Sequence, residues 1–253
     1  MKKYSLILII SFLFLGCGSE NSTSTSSSDS GIAGSKAKFT IAGDYLYTIN
    51  GQEMNIFSVL DASEPEKVSS VHLPFDVETI FPYNEYLYIG AESGMYIYDI
   101  TLPTQPTKIT TFTHAQSCDP VVVQDDIAYV TLNTNRYCSW SDNNVNRLEI
   151  IDVKDPLNPK LLKTVDMWEP GGLTIDGNKL FICDGDYGLK IFDVNKSDNN
   201  ATTTINVTSL GYNSDVNCYD LIANDNNLVV SNEDSIKQYD YTTLPLQEMG
   251  TIK

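Results

Sequence analysis

The sequence predicts an all-β protein, a β-propeller of about five four-stranded blades. Three observations carry that expectation. Five short segments share one pattern: Met54-Asn-Ile-Phe-Ser-Val59, Met95-Tyr-Ile-Tyr-Asp-Ile100, Leu148-Glu-Ile-Ile-Asp-Val153, Leu189-Lys-Ile-Phe-Asp-Val194 and Ile236-Lys-Gln-Tyr-Asp-Tyr241. Their shared column is Ser58, Asp99, Asp152, Asp193 and Asp240, at spacings of 41, 53, 41 and 47 residues. Upstream of each, a polar turn runs into a strand-forming run, as in Gly43-Asp-Tyr-Leu-Tyr-Thr48, Asn84-Glu-Tyr-Leu-Tyr-Ile89 and Asp125-Asp-Ile-Ala-Tyr-Val130. Asp, Asn and Gly tolerate tight turns, and the β-branched and aromatic residues after them favour strands. No stretch shows helical periodicity.

Each repeat reads as four strands. In the second they are expected at about 77–82, 86–90, 95–100 and 108–113. Prolines mark the turn between the third and fourth strands, as in Ser63-Glu-Pro65 and Asp155-Pro-Leu-Asn-Pro159. Proline suits that place because it fixes φ and donates nothing to a ladder. A lone meander cannot bury both of its faces, whereas a ring of them can. A β-sandwich of many short strands is the alternative. The phase of the repeats starts the folded part on a first strand near Lys38 and ends it on a fourth strand at Lys253. The ring then closes by face packing of its first and last blades. Alternatively, residues 30–37 complete the last blade as an edge strand.

The units Ile150-Ile-Asp-Val-Lys-Asp-Pro-Leu-Asn-Pro159 and Leu189-Lys-Ile-Phe-Asp-Val194 resemble LVIVD repeats. The stretch Ser117-Cys-Asp-Pro-Val-Val-Val123, with Ala128-Tyr-Val-Thr-Leu132 behind it, is similar to the most typical part of that family. The resemblance spans about residues 39–253 and implies an exported surface or envelope propeller. It implies no reaction. The first and fifth repeats depart most from the pattern.

The N-terminus reads as an address. Lys2 and Lys3 precede a run of about a dozen apolar residues, Tyr4 to Leu15. That is short of the roughly 20 residues a spanning helix needs, and it fits a secretory signal. It ends in Phe14-Leu15-Gly16-Cys17, which resembles a bacterial lipobox apart from Phe14. The expected organisation is a lipoprotein signal peptide over 1–16 and an acylated Cys17 opening a Ser/Thr-rich tether over 17–37. The propeller follows over 38–253. Membrane association would be through the lipid anchor only, in the cell envelope, at the outer membrane or cell surface.

The composition excludes other classes. Formal net charge is -17, and it becomes -19 once Lys2 and Lys3 leave with the signal. With no basic stripe, nucleic acid is not an expected partner. Hydrophobic residues at 42% supply a core, so the chain is not disordered. Histidine occurs only at 72 and 114 and no C-x-x-C is present, so zinc is not expected.

Cys118 and Cys138 fall at the same end of the third blade, on neighbouring antiparallel strands, and are expected to form a disulfide. Cys183 and Cys218 share a face of the ring but belong to different blades. They either pair or remain buried thiols.

Binding in a propeller favours the mouth of the central channel, reached by the loops between second and third strands and the leads into each first strand. The longest such connection, 133–146, carries Arg136, Tyr137 and Trp140, residue types enriched in binding hot spots. The leads bring Asp76, Glu78, Asp119, Glu169 and Asp220 towards the same face. Asp184, in Asp184-Gly-Asp186, invites a calcium reading, although a tight turn explains it as well. The repeated aspartates are expected to be structural acceptors in turns. No cofactor is expected, calcium being the one candidate, and no catalytic motif is present. The expected function is non-catalytic binding of an envelope or extracellular protein or a small ligand. The alternatives are an envelope hydrolase or lyase using acidic residues at the mouth, and a calcium-dependent adhesion element.

Overall fold

The computed structural model describes residues 34–74, 77–114, 120–134, 145–199 and 202–253. Twenty strands form five four-stranded antiparallel sheets, each a meander in chain order. Blade one holds β1 (Phe39–Ala42), β2 (Tyr45–Asn50), β3 (Glu53–Ser58) and β4 (Glu66–His72). Blade two holds β5 (Val77–Tyr83), β6 (Tyr86–Ala91), β7 (Gly94–Asp99) and β8 (Thr107–Thr113). Blade three holds β9 (Val121–Gln124), β10 (Ile127–Asn133), β11 (Asn146–Asp152) and β12 (Lys160–Asp166). Blade four holds β13 (Leu173–Asp176), β14 (Lys179–Cys183), β15 (Leu189–Asn199) and β16 (Thr202–Asn213). Blade five holds β17 (Asp220–Asn224), β18 (Asn227–Ser231), β19 (Ile236–Asp240) and β20 (Gln247–Ile252). Among the described residues the one helix is a short 3-10 turn at Gly185–Tyr187.

The two repeated sequence columns have physical roles. The turns joining first to second strands place Gly43, Asn84, Asp125, Asp126, Gly177, Asp225 and Asn226 at positive φ, which explains the Gly, Asn and Asp found there. At the other column, Asp99, Asp152 and Asp240 accept the backbone N–H two residues on, at 2.7, 3.0 and 2.7 Å. Asp193 instead takes the side-chain amides of Asn178 and Asn195. Blade one has Ser58 in the column, and there Asp61 plays the part, accepting from the Ser63 N–H and hydroxyl. A feature the sequence did not announce accompanies this column. In all five blades the pairing of third and fourth strands slips by one residue just before it, at Ile56/Phe57, Ile97/Tyr98, Ile150/Ile151, Ile191/Phe192 and Gln238/Tyr239. Such a bulge adds local twist where the meander turns outward.

Apolar residues on both faces of a blade pack against its neighbours. One buried cluster joins blades one and two (Tyr47, Met54, Ile56 with Ile80, Leu87, Ile89). A second joins two and three (Tyr88, Met95, Ile97 with Val121, Ala128, Val130). A third joins three and four (Tyr129, Leu148, Ile150 with Leu173, Leu180, Ile182), and a fourth four and five (Phe181, Leu189, Ile191 with Leu221, Leu228, Val230). Of the two closures the sequence left open, face packing has no buried cluster joining blades five and one among the described residues. Nor do residues 34–37 form an edge strand. The 47-residue spacing has its own cause. β15 and β16 run 11 and 12 residues, and the extension leans on blade three, where Lys196 Nζ donates to the Asp125 carbonyl at 2.8 Å.

Phe181 is fully buried, with its ring 5.0 Å from that of Tyr241. Phe181→Ala is expected to cost about 3–5 kcal/mol in urea unfolding. Leu60→Ala, on an exposed turn, is expected to stay within about 0.5 kcal/mol of the parent. Equal effects from the two would contradict a core built from inter-blade seams.

Candidate functional site at the channel mouth

The short segment that enters blade one organises the mouth. Gly34–Ala37 have the composition of a tether, yet they are packed inside the ring. Ser35 is buried. Its Oγ donates to Asp220 Oδ1 at 3.0 Å and accepts from the Leu173 N–H at 2.8 Å, which links blades five and four. The Lys36 N–H donates to Asp220 Oδ2 at 3.3 Å, and the Ile80 N–H of blade two donates to the Ala37 carbonyl at 3.0 Å. One segment therefore touches three blades. Gly172 permits this close packing, since a Cβ there would lie 2.5 Å from Asp220 Oδ1 and 2.8 Å from the Tyr219 carbonyl oxygen.

Beside this segment lies an open cavity of about 270 Å³, lined by Lys36, Lys38, Glu78, Asn133, Glu169 and Tyr219, with Cys183 and Cys218 in its wall. Lys36 Nζ sits 4.0 Å from the centre of the Tyr219 ring, a cation–π distance. Asn133 Nδ2 donates to the Pro170 carbonyl at 2.9 Å and Thr131 Oγ1 to the Gly171 carbonyl at 2.6 Å, fixing the wall between blades three and four. The cavity is thus lined by two lysines from the chain entering blade one and by glutamates of blade two and of the lead into blade four. This arrangement can hold a small ligand that carries charge of either sign, or the charged terminus of a larger one.

Cys183 and Cys218 form a disulfide across 35 residues, with Cα atoms 5.5 Å apart. Of the two outcomes open for that pair, pairing is the one found. It ties the end of β14 to the lead into β17, so the wall carrying Tyr219 and Asp220 is covalently joined to blade four. Cys118 and Cys138, the other expected pair, lie outside the described residues, as do Cys17, Asp76, Asp119, Arg136, Tyr137 and Trp140.

Of the predicted site residues that are described, the structure brings Glu78 and Glu169 to the cavity. Asp220 lies beneath the entering segment. Burial raises its carboxyl above the ordinary value, opposed by bonds from the Leu221 N–H, Ser35 and the Lys36 N–H and by the Lys36 charge. Asp184 is turned inward. Its Oδ1 accepts the Trp168 and Glu169 N–H groups at 3.0 and 2.8 Å, and Lys190 Nζ stands 3.8 Å from Oδ2. Among the described residues no group of three or more His, Cys, Asp or Glu is placed to share a metal ion. Sequence reasoning missed Lys36, Lys38, Tyr219 and the exposed Trp168–Tyr187 stack, whose rings are 4.9 Å apart at 17°. Trp168, in Met167-Trp-Glu-Pro-Gly-Gly172, was the available signal, as an aromatic residue in a lead between blades.

Two outcomes test this geometry. Replacing both Cys183 and Cys218 by Ala is expected to lower unfolding stability by about 3–4 kcal/mol for a loop of this length. No loss in denaturant titration would mean the bond does not constrain the chain. The buried Asp220 carboxyl, raised in the folded state, favours folding when protonated, and that contribution is lost as pH rises through its folded value. Asp220→Asn, which keeps one acceptor oxygen, should therefore gain in melting temperature relative to the parent as pH rises from acid to neutral. A difference that is flat or of opposite slope would refute the assignment.

By sequence the chain matches no family model and none of the curated proteins. By structure it resembles several solved propellers. The periplasmic gluconolactonase PpgL of Pseudomonas aeruginosa aligns with a TM-score of 0.57 at 13% identity, over 83% of this chain and 67% of that one. Apo AztD of Citrobacter koseri gives 0.56 at 15%, over 81% and 58%. BamB of Moraxella catarrhalis gives 0.51 at 13%, over 85% and 59%. The chain spans about 58–67% of the length of these three structures, and at such identities the likeness shows the fold alone.

Proposed function

We propose that the chain is an exported, lipid-anchored propeller of LVIVD-repeat type that binds a partner protein or a small extracellular ligand at its channel mouth. The cavity carries this reading, because Lys36 and Lys38 face it together with Glu78 and Glu169 in an otherwise strongly acidic protein. The Trp168–Tyr187 stack beside it adds an exposed aromatic surface of the kind that anchors ligands and partners. The lipobox-like Cys17 and the apolar run before it support export and anchoring. Among the described residues no helix is long and apolar enough to cross a membrane.

A second reading, an envelope hydrolase or lyase, draws on the two glutamates lining one cavity and on the gluconolactonase among the structural neighbours. One experiment separates the two. The full chain is screened by thermal shift against amino acids, short peptides, sugar acids and lactones, and every hit is followed for turnover. The binding reading expects a ligand that raises the melting temperature, is recovered unchanged, and loses its effect in Lys36→Ala and Glu169→Gln. Turnover abolished by Glu169→Gln in a variant that still melts like the parent would establish the enzyme instead. An effect equal in parent and variants would move the site elsewhere.

A further inference from the structure

We infer that the Cys183–Cys218 disulfide is a redox-sensitive latch on the mouth, placed so that its reduction by a dithiol loosens the cavity wall while the ring stays folded. On each side of the bond, the residues after the cysteine hold a charged member of the cavity lining. After Cys183 comes Asp184, whose Oδ1 accepts the Glu169 N–H at 2.8 Å. After Cys218 come Tyr219 and Asp220. Lys36 Nζ sits 4.0 Å from the centre of the Tyr219 ring, and Asp220 accepts the Lys36 N–H at 3.3 Å and the Ser35 hydroxyl at 3.0 Å. The bond therefore joins the two arms that hold Glu169 and Lys36. Among the described residues no other covalent link joins two blades.

Around the bond the wall is a short run of backbone hydrogen bonds. The Gly171 N–H donates to the Cys183 carbonyl at 2.7 Å, the Cys183 N–H to the Gly172 carbonyl at 2.9 Å, and the Gly172 N–H to the Tyr219 carbonyl at 3.3 Å. The last and longest of these passes from the lead of blade four to that of blade five. The seam beneath is apolar, with Phe181, Leu189 and Ile191 against Leu221, Leu228 and Val230, and its packing does not depend on the bond. Reduction therefore acts on the wall before the seam. The cysteines are 1% and 4% exposed and line the cavity, so a reductant reaches them through the mouth. In the exchange, a thiolate of the dithiol attacks one sulfur and the Cys183–Cys218 bond breaks as a mixed disulfide forms. The second thiol of the reductant then displaces the protein sulfur. Two electrons and two protons pass from the dithiol to the Cys183 and Cys218 thiols, and the reductant leaves as a disulfide. The consequence for binding rests on the reading proposed above: the factor by which oxidation tightens a ligand equals the factor by which that ligand disfavours reduction.

The latch is tested without a ligand, so a mouth that binds nothing leaves this response intact and the two readings fail separately. The full chain and a Cys183→Ser/Cys218→Ser variant are each compared with and without dithiothreitol. Amide hydrogen exchange is read by mass spectrometry, and thiol alkylation reports reduction at each cysteine. In the parent, reduction is expected to speed exchange over residues 34–37 and 169–173 by about tenfold or more, while β6 and β10 stay protected. The variant is expected to exchange at the fast rate with or without the reductant. Unchanged exchange in both segments, once alkylation shows the bond reduced, would overturn the proposal. Loss of protection in every blade would overturn it as well, since the bond would then be a staple of the whole fold. An equal response of the variant to dithiothreitol would trace the effect to other cysteines and refute the assignment. A bond that dithiothreitol does not reduce in the folded chain would refute access from the mouth. Where the variant melts too low to use, the response of the parent alone decides.

Discussion

A four-stranded meander has two faces and no interior of its own, and every other feature of this molecule follows from that. In each blade, residues alternate along the strands between one neighbour and the other. Tyr47 and Ile49 of β2 look towards blade two, whereas Leu46 and Thr48 look away. A seam forms only where two such faces meet. The four seams present are built from the same few columns, with Tyr or Phe from second strands and Met, Leu or Ile from third strands. This explains how repeats with little sequence in common superpose. The requirement is an apolar side chain of suitable size at each column, and the hydroxyls find partners at the edges, as Tyr83 does with Asp126 of the next blade at 3.2 Å.

Packing the first strands side by side brings their leads together at one end, and there the demands change. Backbone groups leaving the sheets must be satisfied, and the entering segment does this for three blades at once through the Ser35 hydroxyl and the Ala37 carbonyl. Asp220 pays for its burial with the bonds it accepts from Ser35 and Lys36. Because this segment carries Lys36 and runs straight into Lys38, the contacts that complete the fold also bring two lysines to the lining of the mouth. The disulfide makes that wall rigid on one side, and Asn133 with Thr131 makes it rigid on another.

The blades were legible in the sequence because both marker columns are local. A left-handed turn needs Gly, Asn or Asp at one position, and an Asx-type turn needs an acceptor two residues before its donor. Both signals survive in a single sequence, as do the strands of the second repeat, which fall within one residue of expectation. The bulge before the aspartate column was not legible, since Ile150-Ile151 looks like any strand interior and the slip is a property of pairing. How blades five and one meet was left open by the sequence for a related reason, since strand phase does not tell a covered end face from an uncovered one; among the described residues Phe39 is 58% and Ile236 45% exposed. At the mouth, Glu78 and Glu169 could be placed by strand phase, but Lys36 could not, because a Gly-Ser-Lys-Ala stretch carries no pattern that distinguishes a tether from a packed segment.

Electrostatics then sets the range over which the charges at the mouth act. A protein with this excess of carboxylates repels anions at a distance, and at physiological salt that field fades over about 8 Å. A ligand would therefore feel Lys36 and Lys38 only once at the cavity, whose lining also includes Glu78 and Glu169. On the proposed reading, recognition there would depend on fit to fixed charges of both signs, with little long-range steering. A cavity on a rigid ring suits such fit better than one on a loop, because little order remains to be imposed when a contact forms.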